Sequence, residues 1–193
     1  MEQLLSAMKH YNAYGIIHRD IKPENIMVGA DGEVSLIDWG IAQNMGVDDE
    51  DILVGTPLYM SPEQSEFESL DQRTDIYSIS AVLYELLSLR KTITPQHDVF
   101  AVLRSIRTSD IPCVDDIPHP TQGYVPSEFK SIVNKGLARN KDDRYGNTEE
   151  MLLELIAVRN GEFCSICPRT LIKRTVHNFM HWMFNLIEMF RLR

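Results

Sequence analysis

Within eight consecutive residues, His18-Arg19-Asp20-Ile21-Lys22-Pro23-Glu24-Asn25, the chain places a carboxylate, an ammonium and an amide; thirteen residues after Asn25 comes Asp38-Trp39-Gly40. A carboxylate can take or orient a hydroxyl proton, and an ammonium can neutralise developing negative charge. Amide and carboxylate oxygens suit a hard cation such as magnesium. Taken alone, any of these acids reads as a solvated loop residue. It is the order and spacing of the whole set that argue otherwise. Further on, Gly55-Thr56-Pro57-Leu58-Tyr59-Met60-Ser61-Pro62-Glu63 forms a second dense motif, Asp75 opens an apolar segment, and Arg144 follows Asp142-Asp143.

The elements that must hold these residues are mostly helical. Residues 1–14 read as a short helix through Leu4, Leu5 and Met8, ended by Gly15. Ile26-Met27-Val28 and the run from Val34 to Ile37 flank a Gly/Asp-rich turn, which predicts a hairpin between Asn25 and Asp38. Residues 40–70 are loop-like. In 74–88, Ile76, Ile79, Val82, Leu83, Leu86 and Leu87 share one side, widened by Tyr77 and Tyr84, which predicts a helix buried in the middle of the domain. Residues 97–107 bring Val99, Val102, Leu103 and Ile106 together. Pro126 suits the first turn of a helix carrying Phe129, Ile132, Val133 and Leu137. Asn147 and Glu150 make a capping-box-like start for a last helix through Met151, Leu152, Leu155 and Ile156. The fold class is mainly α with one small β element.

The His18–Asn25 run, the Asp38-Trp39-Gly40 that follows and the Gly55–Glu63 motif resemble the catalytic loop, metal-binding turn and activation-segment end of Ser/Thr protein kinases, most of all the bacterial type. The resemblance covers about residues 1–160 and implies the C-terminal lobe of a kinase, with 161–193 as an extension. It implies ATP and Mg2+ as cofactors and protein Ser/Thr hydroxyls as substrates. Asp20 would accept and orient the hydroxyl, and Lys22 would neutralise the transferring phosphoryl. Asn25 and Asp38 would supply metal and phosphate contacts. Thr56 would help assemble the substrate site by touching Asp20 and Lys22. Arg19 would bind an activation-segment phosphate. Glu63 with Arg144 would form a structural ion pair, and Asp75 would accept from the catalytic-loop backbone, with His18 structural, because unpaired buried charges are costly.

Three departures from the family pattern stand out. Trp39 replaces the usual Phe and keeps a large apolar plug. Ser61 replaces the usual Ala before Pro62-Glu63, a change expected to matter little. Between Gly40 and Gly55 there is no Ser, Thr or Tyr, and Asp48-Asp49-Glu50-Asp51 stands where regulatory phosphorylation would fall. Those acids are either a constitutive substitute for the phosphate or a solvated acidic loop.

An upper lobe would bring a Gly-rich loop and a strand lysine for ATP, and neither Gly-x-Gly-x-x-Gly nor Val-Ala-x-Lys occurs in the chain. The expectation is therefore a kinase piece lacking the ATP-binding lobe and inactive without it. The alternative is a non-catalytic kinase-like interaction module, and either one exposes an upper face that seeks a partner lobe or protein.

The net charge of −9 is split: residues 1–162 carry a balance of −13 and residues 163–193 one of +4. An acidic body argues against nucleic acid as a partner. Three cysteines, Cys113, Cys164 and Cys167, are too few and odd in number for a disulfide scaffold. With no signal-like start or long apolar run, the expected location is cytoplasmic. In the basic end, Val176, Phe179, Met180, Met183, Phe184, Ile187 and Phe190 recur at helical spacing, flanked by Lys173-Arg174 and by Arg191 and Arg193. Residues 171–193 thus read as an amphipathic segment for an anionic membrane surface, for a partner or for the acidic body of its own chain. Cys164, Cys167, His177 and His181 could also form a zinc set, although nine residues between the pairs fall short of the usual 12–15.

Overall fold

A computed structural model describes residues 1–45, 53–114, 117–119, 123–125 and 128–162. Asp48-Asp49-Glu50-Asp51, Pro126 and the features assigned to 163–193 lie outside them. The order is α1 (Glu2–Ala13), β1 (Ile16–Ile17), β2 (Ile26–Val28), β3 (Val34–Leu36), β4 (Gln43–Asn44), α2 (Pro62–Ser65), α3 (Gln72–Ser88), α4 (Val99–Thr108), β5 (Pro118–His119), β6 (Gly123–Tyr124), α5 (Glu128–Gly136) and α6 (Thr148–Asn160). Short 3-10 turns sit at Pro23–Asn25, Pro57–Tyr59 and Lys141–Asp143.

The single small β element expected from the sequence is corrected to three two-stranded antiparallel pairs, β1 with β4, β2 with β3 and β5 with β6. The β2–β3 hairpin follows its apolar pattern and pairs Ile26 with Leu36 and Val28 with Val34. The others were not legible, because two-residue ladders such as Ile16↔Asn44 and Ile17↔Gln43 are too short to carry a periodicity.

Helix α3 is the axis of the core. Ile76, Tyr77, Ile79, Val82, Leu83 and Tyr84 are all buried, and the main cluster gathers Leu4, Leu5 and Met8 of α1, Ile132 and Val133 of α5, and Met151 and Leu155 of α6 around them. Asp71 caps the helix by accepting from Arg73 N at 2.8 Å. Ser78 and Ser80 are buried too, because their hydroxyls donate to the carbonyls of Tyr59 (2.8 Å) and Ile76 (2.7 Å). Leu86 departs from its expected place on the buried side and is exposed. It falls in the last turn of α3, where Leu87 packs on the core and Ser88 is buried in its place.

Helix α6 begins as its sequence implies, with Asn147 Oδ1 accepting from Glu150 N at 2.9 Å. The reciprocal bond slips by one residue: Glu150 Oε2 accepts from Gly146 N at 3.0 Å. Thr148 donates to Asn12 of α1 (3.3 Å), and Lys9 pairs with Glu149 at 2.7 Å, tying first helix to last. No helix among the described residues is long and apolar enough to cross a membrane.

Candidate active site

Asp20 sits between two donors. Lys22 Nζ reaches its Oδ2 at 2.7 Å and Thr56 Oγ1 donates to its Oδ1 at 2.7 Å. Lys22 Nζ also donates to Thr56 Oγ1 at 2.9 Å, so the three side chains close a ring across 36 residues of sequence. Asn25 is buried and spends its amide donors on Asp20, at 2.9 Å to the main-chain oxygen and 3.2 Å to Oδ2. That leaves Asn25 Oδ1 as the acceptor of the amide.

The backbone beneath this ring is held from below. Asp75, in the first turn of α3, is fully buried and accepts from His18 N at 2.9 Å and Arg19 N at 3.0 Å. Burial pushes its carboxyl up to about 6, against the pull of those two N–H donors. Arg19 adopts φ 68°, which aims its N–H at Asp75 while its carbonyl turns to Gln64 Nε2, 2.9 Å away. His18 is buried, with Nε2 3.1 Å from Ile37 O and Nδ1 accepting from Asp20 N at 3.3 Å. Burial lowers its pKa despite the Ile37 carbonyl and the nearby Asp20 and Asp38, so a neutral ring with the proton on Nε2 satisfies both contacts.

Asp38 arrives through the hairpin. Ile37 N donates to Asn25 O at 2.9 Å, extending the β2–β3 ladder, so Asp38 stands one residue beyond the partner of Asn25. It is exposed and takes φ 62°. Trp39 next to it packs edge-on to His18 (4.6 Å between centroids) and against Tyr11 of α1 (4.1 Å). Its indole N–H donates to Leu36 O at 3.1 Å, a tether that the phenylalanine usual in the family lacks.

Under the Gly55–Glu63 segment lies a buried ion pair. Arg144 meets both oxygens of Glu63 at 2.7 and 2.8 Å and donates as well to the carbonyls of Ala138, Arg73 and Arg139. Thr74 completes the Glu63 shell at 2.9 Å. Burial alone would raise the Glu63 pKa, but the bonds from Arg144 outweigh it and hold the carboxyl below its usual range.

A protein kinase domain model matches residues 1–155. The chain belongs to the protein kinase family. It is 35% identical over 161 residues to serine/threonine-protein kinase PknB of Mycobacterium tuberculosis, covering 81% of this chain and 25% of that one. A probable serine/threonine-protein kinase of Streptomyces coelicolor is 34% identical over 164 residues (82% and 24%), and a probable PknB of Bifidobacterium longum is 34% identical over 165 (82% and 23%). The kinase chain thus spans about a quarter of the length of the curated relatives it matches.

Two residues of this candidate site do more than their sequence suggested. Ser61 is not the minor change expected. It is fully buried, and its hydroxyl accepts from Gln64 N (3.4 Å) while Gln64 Oε1 accepts from Ser61 N (3.1 Å). This box fixes the Gln64 side chain whose amide holds the Arg19 carbonyl. The Ser-x-x-Gln pattern was the available signal. Ser61→Ala should cost about 0.5–2 kcal/mol of stability, read from urea unfolding, by loss of that cap. Gly55 is the second. It takes φ 110°, and a Cβ there would lie 2.9 Å from Arg19 O, so glycine is required for the segment to cross the His18–Asn25 loop one residue before Thr56.

Among the described residues, Arg19 donates to Ile41 O and Gln43 Oε1, both at 2.6 Å, which braces it on the strand leading toward the acidic run. A pH signature follows from Asp75. Its folded-state pKa lies above the ordinary aspartate value, so its stabilising contribution is complete below about 4 and is lost as pH rises through about 6. Across that window wild-type stability should fall relative to Asp75→Asn by at most about 1.4 kcal/mol per pH unit. Denaturant midpoints at pH 4 to 7 for the two chains check it, and parallel curves would refute it.

Proposed function

We propose that this chain provides the phosphoryl-transfer half of a bacterial-type Ser/Thr protein kinase, using ATP and Mg2+. The observation that carries the reading is the Asp20–Lys22–Thr56 ring, with Asn25 bound to the same carboxylate. A carboxylate has lone pairs to spare beyond these three bonds, enough to receive the hydroxyl of a substrate serine or threonine. As the hydroxyl oxygen attacks the γ-phosphorus, its proton passes to Asp20, and the bond to the leaving diphosphate breaks with its electron pair on oxygen. Lys22 offsets the charge that spreads over the transferring oxygens. Thr56 holds both Asp20 and Lys22 in register, so that a substrate lying along the activation segment meets them already aligned.

The donor set fits a hard cation: Asn25 presents an amide oxygen, and Asp38 an exposed carboxylate carried to the same end of the hairpin. Asn25 and Asp38 would hold magnesium there, and the ion would supply charge neutralisation for the phosphates of ATP.

In this reading the Gly-rich loop and strand lysine for the nucleotide come from residues other than these 193, in a partner lobe. Titration with Mg·ATP tests it. The isolated chain should bind weakly, and the same sequence joined to the upstream lobe of a relative should bind in the ordinary micromolar range. Tight magnesium-dependent binding by the isolated chain would overturn the need for a second lobe. Failure of the joined protein to bind would favour a non-catalytic interaction module.

A further inference from the structure

We propose that the basic, apolar-striped segment 171–193 folds back on this chain and seats in the groove between α1, α5 and α6. The groove encloses about 700 Å3, and its apolar lining comes from Val34, Leu83, Phe129, Leu155 and Val158. Glu2 and Glu128 add acids to the wall, and Arg159 a base already paired with Glu2. Such a concave apolar surface is a place for apolar side chains rather than for water.

Chain path leads to it. The last turn of α6 forms one wall, and there the helix is stopped by Gly161 at φ 76°. Glu162 N donates to Ala157 O at 2.8 Å and Gly161 N to Val158 O at 3.1 Å, the bonding of a left-handed cap that reverses the chain. The described chain thus reaches Glu162 beside Val158, at the lip of the groove. In the sequence beyond it, seven large apolar residues from Val176 to Phe190 recur at helical spacing.

Charge selects the body over a lipid surface. Residues 1–162 carry −13 and residues 163–193 carry +4. The basic segment meets complementary charge on its own chain, whereas an anionic membrane would repel the acidic body tethered to it. Occupancy would also reach the hairpin that carries Asp38, because Gln3 on the groove wall accepts from Val34 N (2.7 Å) and donates to Gly32 O (3.1 Å).

The test places a photoreactive residue at Phe184, and separately at Phe179, in the full chain, with cross-links mapped by mass spectrometry with and without phosphatidylserine vesicles. Intrachain cross-links to the first turn of α1, the first turn of α5 or the last turn of α6 are expected from at least one position. They should persist with vesicles present and fall about tenfold in Val158→Glu and in Phe129→Glu, which put a charge into the apolar wall. Cross-links to another face, to a second copy or to lipid would overturn the proposal. So would their absence from both positions, or yields unchanged in both groove variants.

Discussion

Arg144→Met should lower the stability of this chain by about 3–5 kcal/mol. The side chain is completely buried and satisfies both oxygens of Glu63 and three main-chain carbonyls. Methionine fills much of the same volume but leaves Glu63 a buried carboxylate without the cation that neutralises it, held only by Thr74 and its own N–H among the described contacts. Domains of this kind hold only about 5–15 kcal/mol in total, so the loss would be visible as a large fall in urea midpoint. Adding Glu63→Gln to Arg144→Met should return part of it, since the unpaired charge is then gone. The pair also has an acid signature. The lowered Glu63 pKa means that its contribution is present above the ordinary carboxylate range and is lost as pH falls through the folded value. A loss under about 1 kcal/mol in the single variant would show that the pair is not what anchors the activation segment.

Asp20→Asn should cut turnover by about 10²–10⁴-fold in a two-lobed protein carrying this sequence, with Mg·ATP binding little changed. The asparagine keeps the size of the side chain but cannot take the hydroxyl proton. It also turns an N–H toward either Lys22 or Thr56, each of which now donates to a carboxylate oxygen. Steady-state kinetics would show the loss in kcat rather than in KM for ATP. An equal loss in ATP affinity would instead place Asp20 among the nucleotide-binding groups.

Much of this site was legible because its residues lie close in sequence. The run from His18 to Asn25 and the turn at Asp38 sit on either side of one short hairpin, and the two apolar runs around its Gly/Asp turn were enough to predict it. Buried helices were legible for the same reason, since a periodic stripe such as that of α3 has few alternatives. The long-range contacts of Thr56, of Glu63 with Arg144 and of Asp75 were expected from the family resemblance, not from local pattern. That Thr56 closes on Asp20 follows from Gly55 crossing over the Arg19 carbonyl, a contact that depends on a single missing Cβ. Ser61 and Gln64 were passed over because a capping box changes its meaning once its glutamine side chain also reaches a distant carbonyl. Asn12, near the end of α1, went unread in the sequence, yet it is buried, donating to Ile16 O and accepting from Thr148. Local pattern assigns such residues to solvent, and only the packing of α6 on α1 removes them from it.

The most direct measurement is transfer of labelled γ-phosphate from Mg·ATP to a protein substrate by this sequence joined to a kinase upper lobe, followed by identification of the labelled amino acid. The account predicts magnesium-dependent label on serine or threonine, absent from the Asp20→Asn protein. Bound ATP without transfer, or label that survives Asp20→Asn, would contradict it.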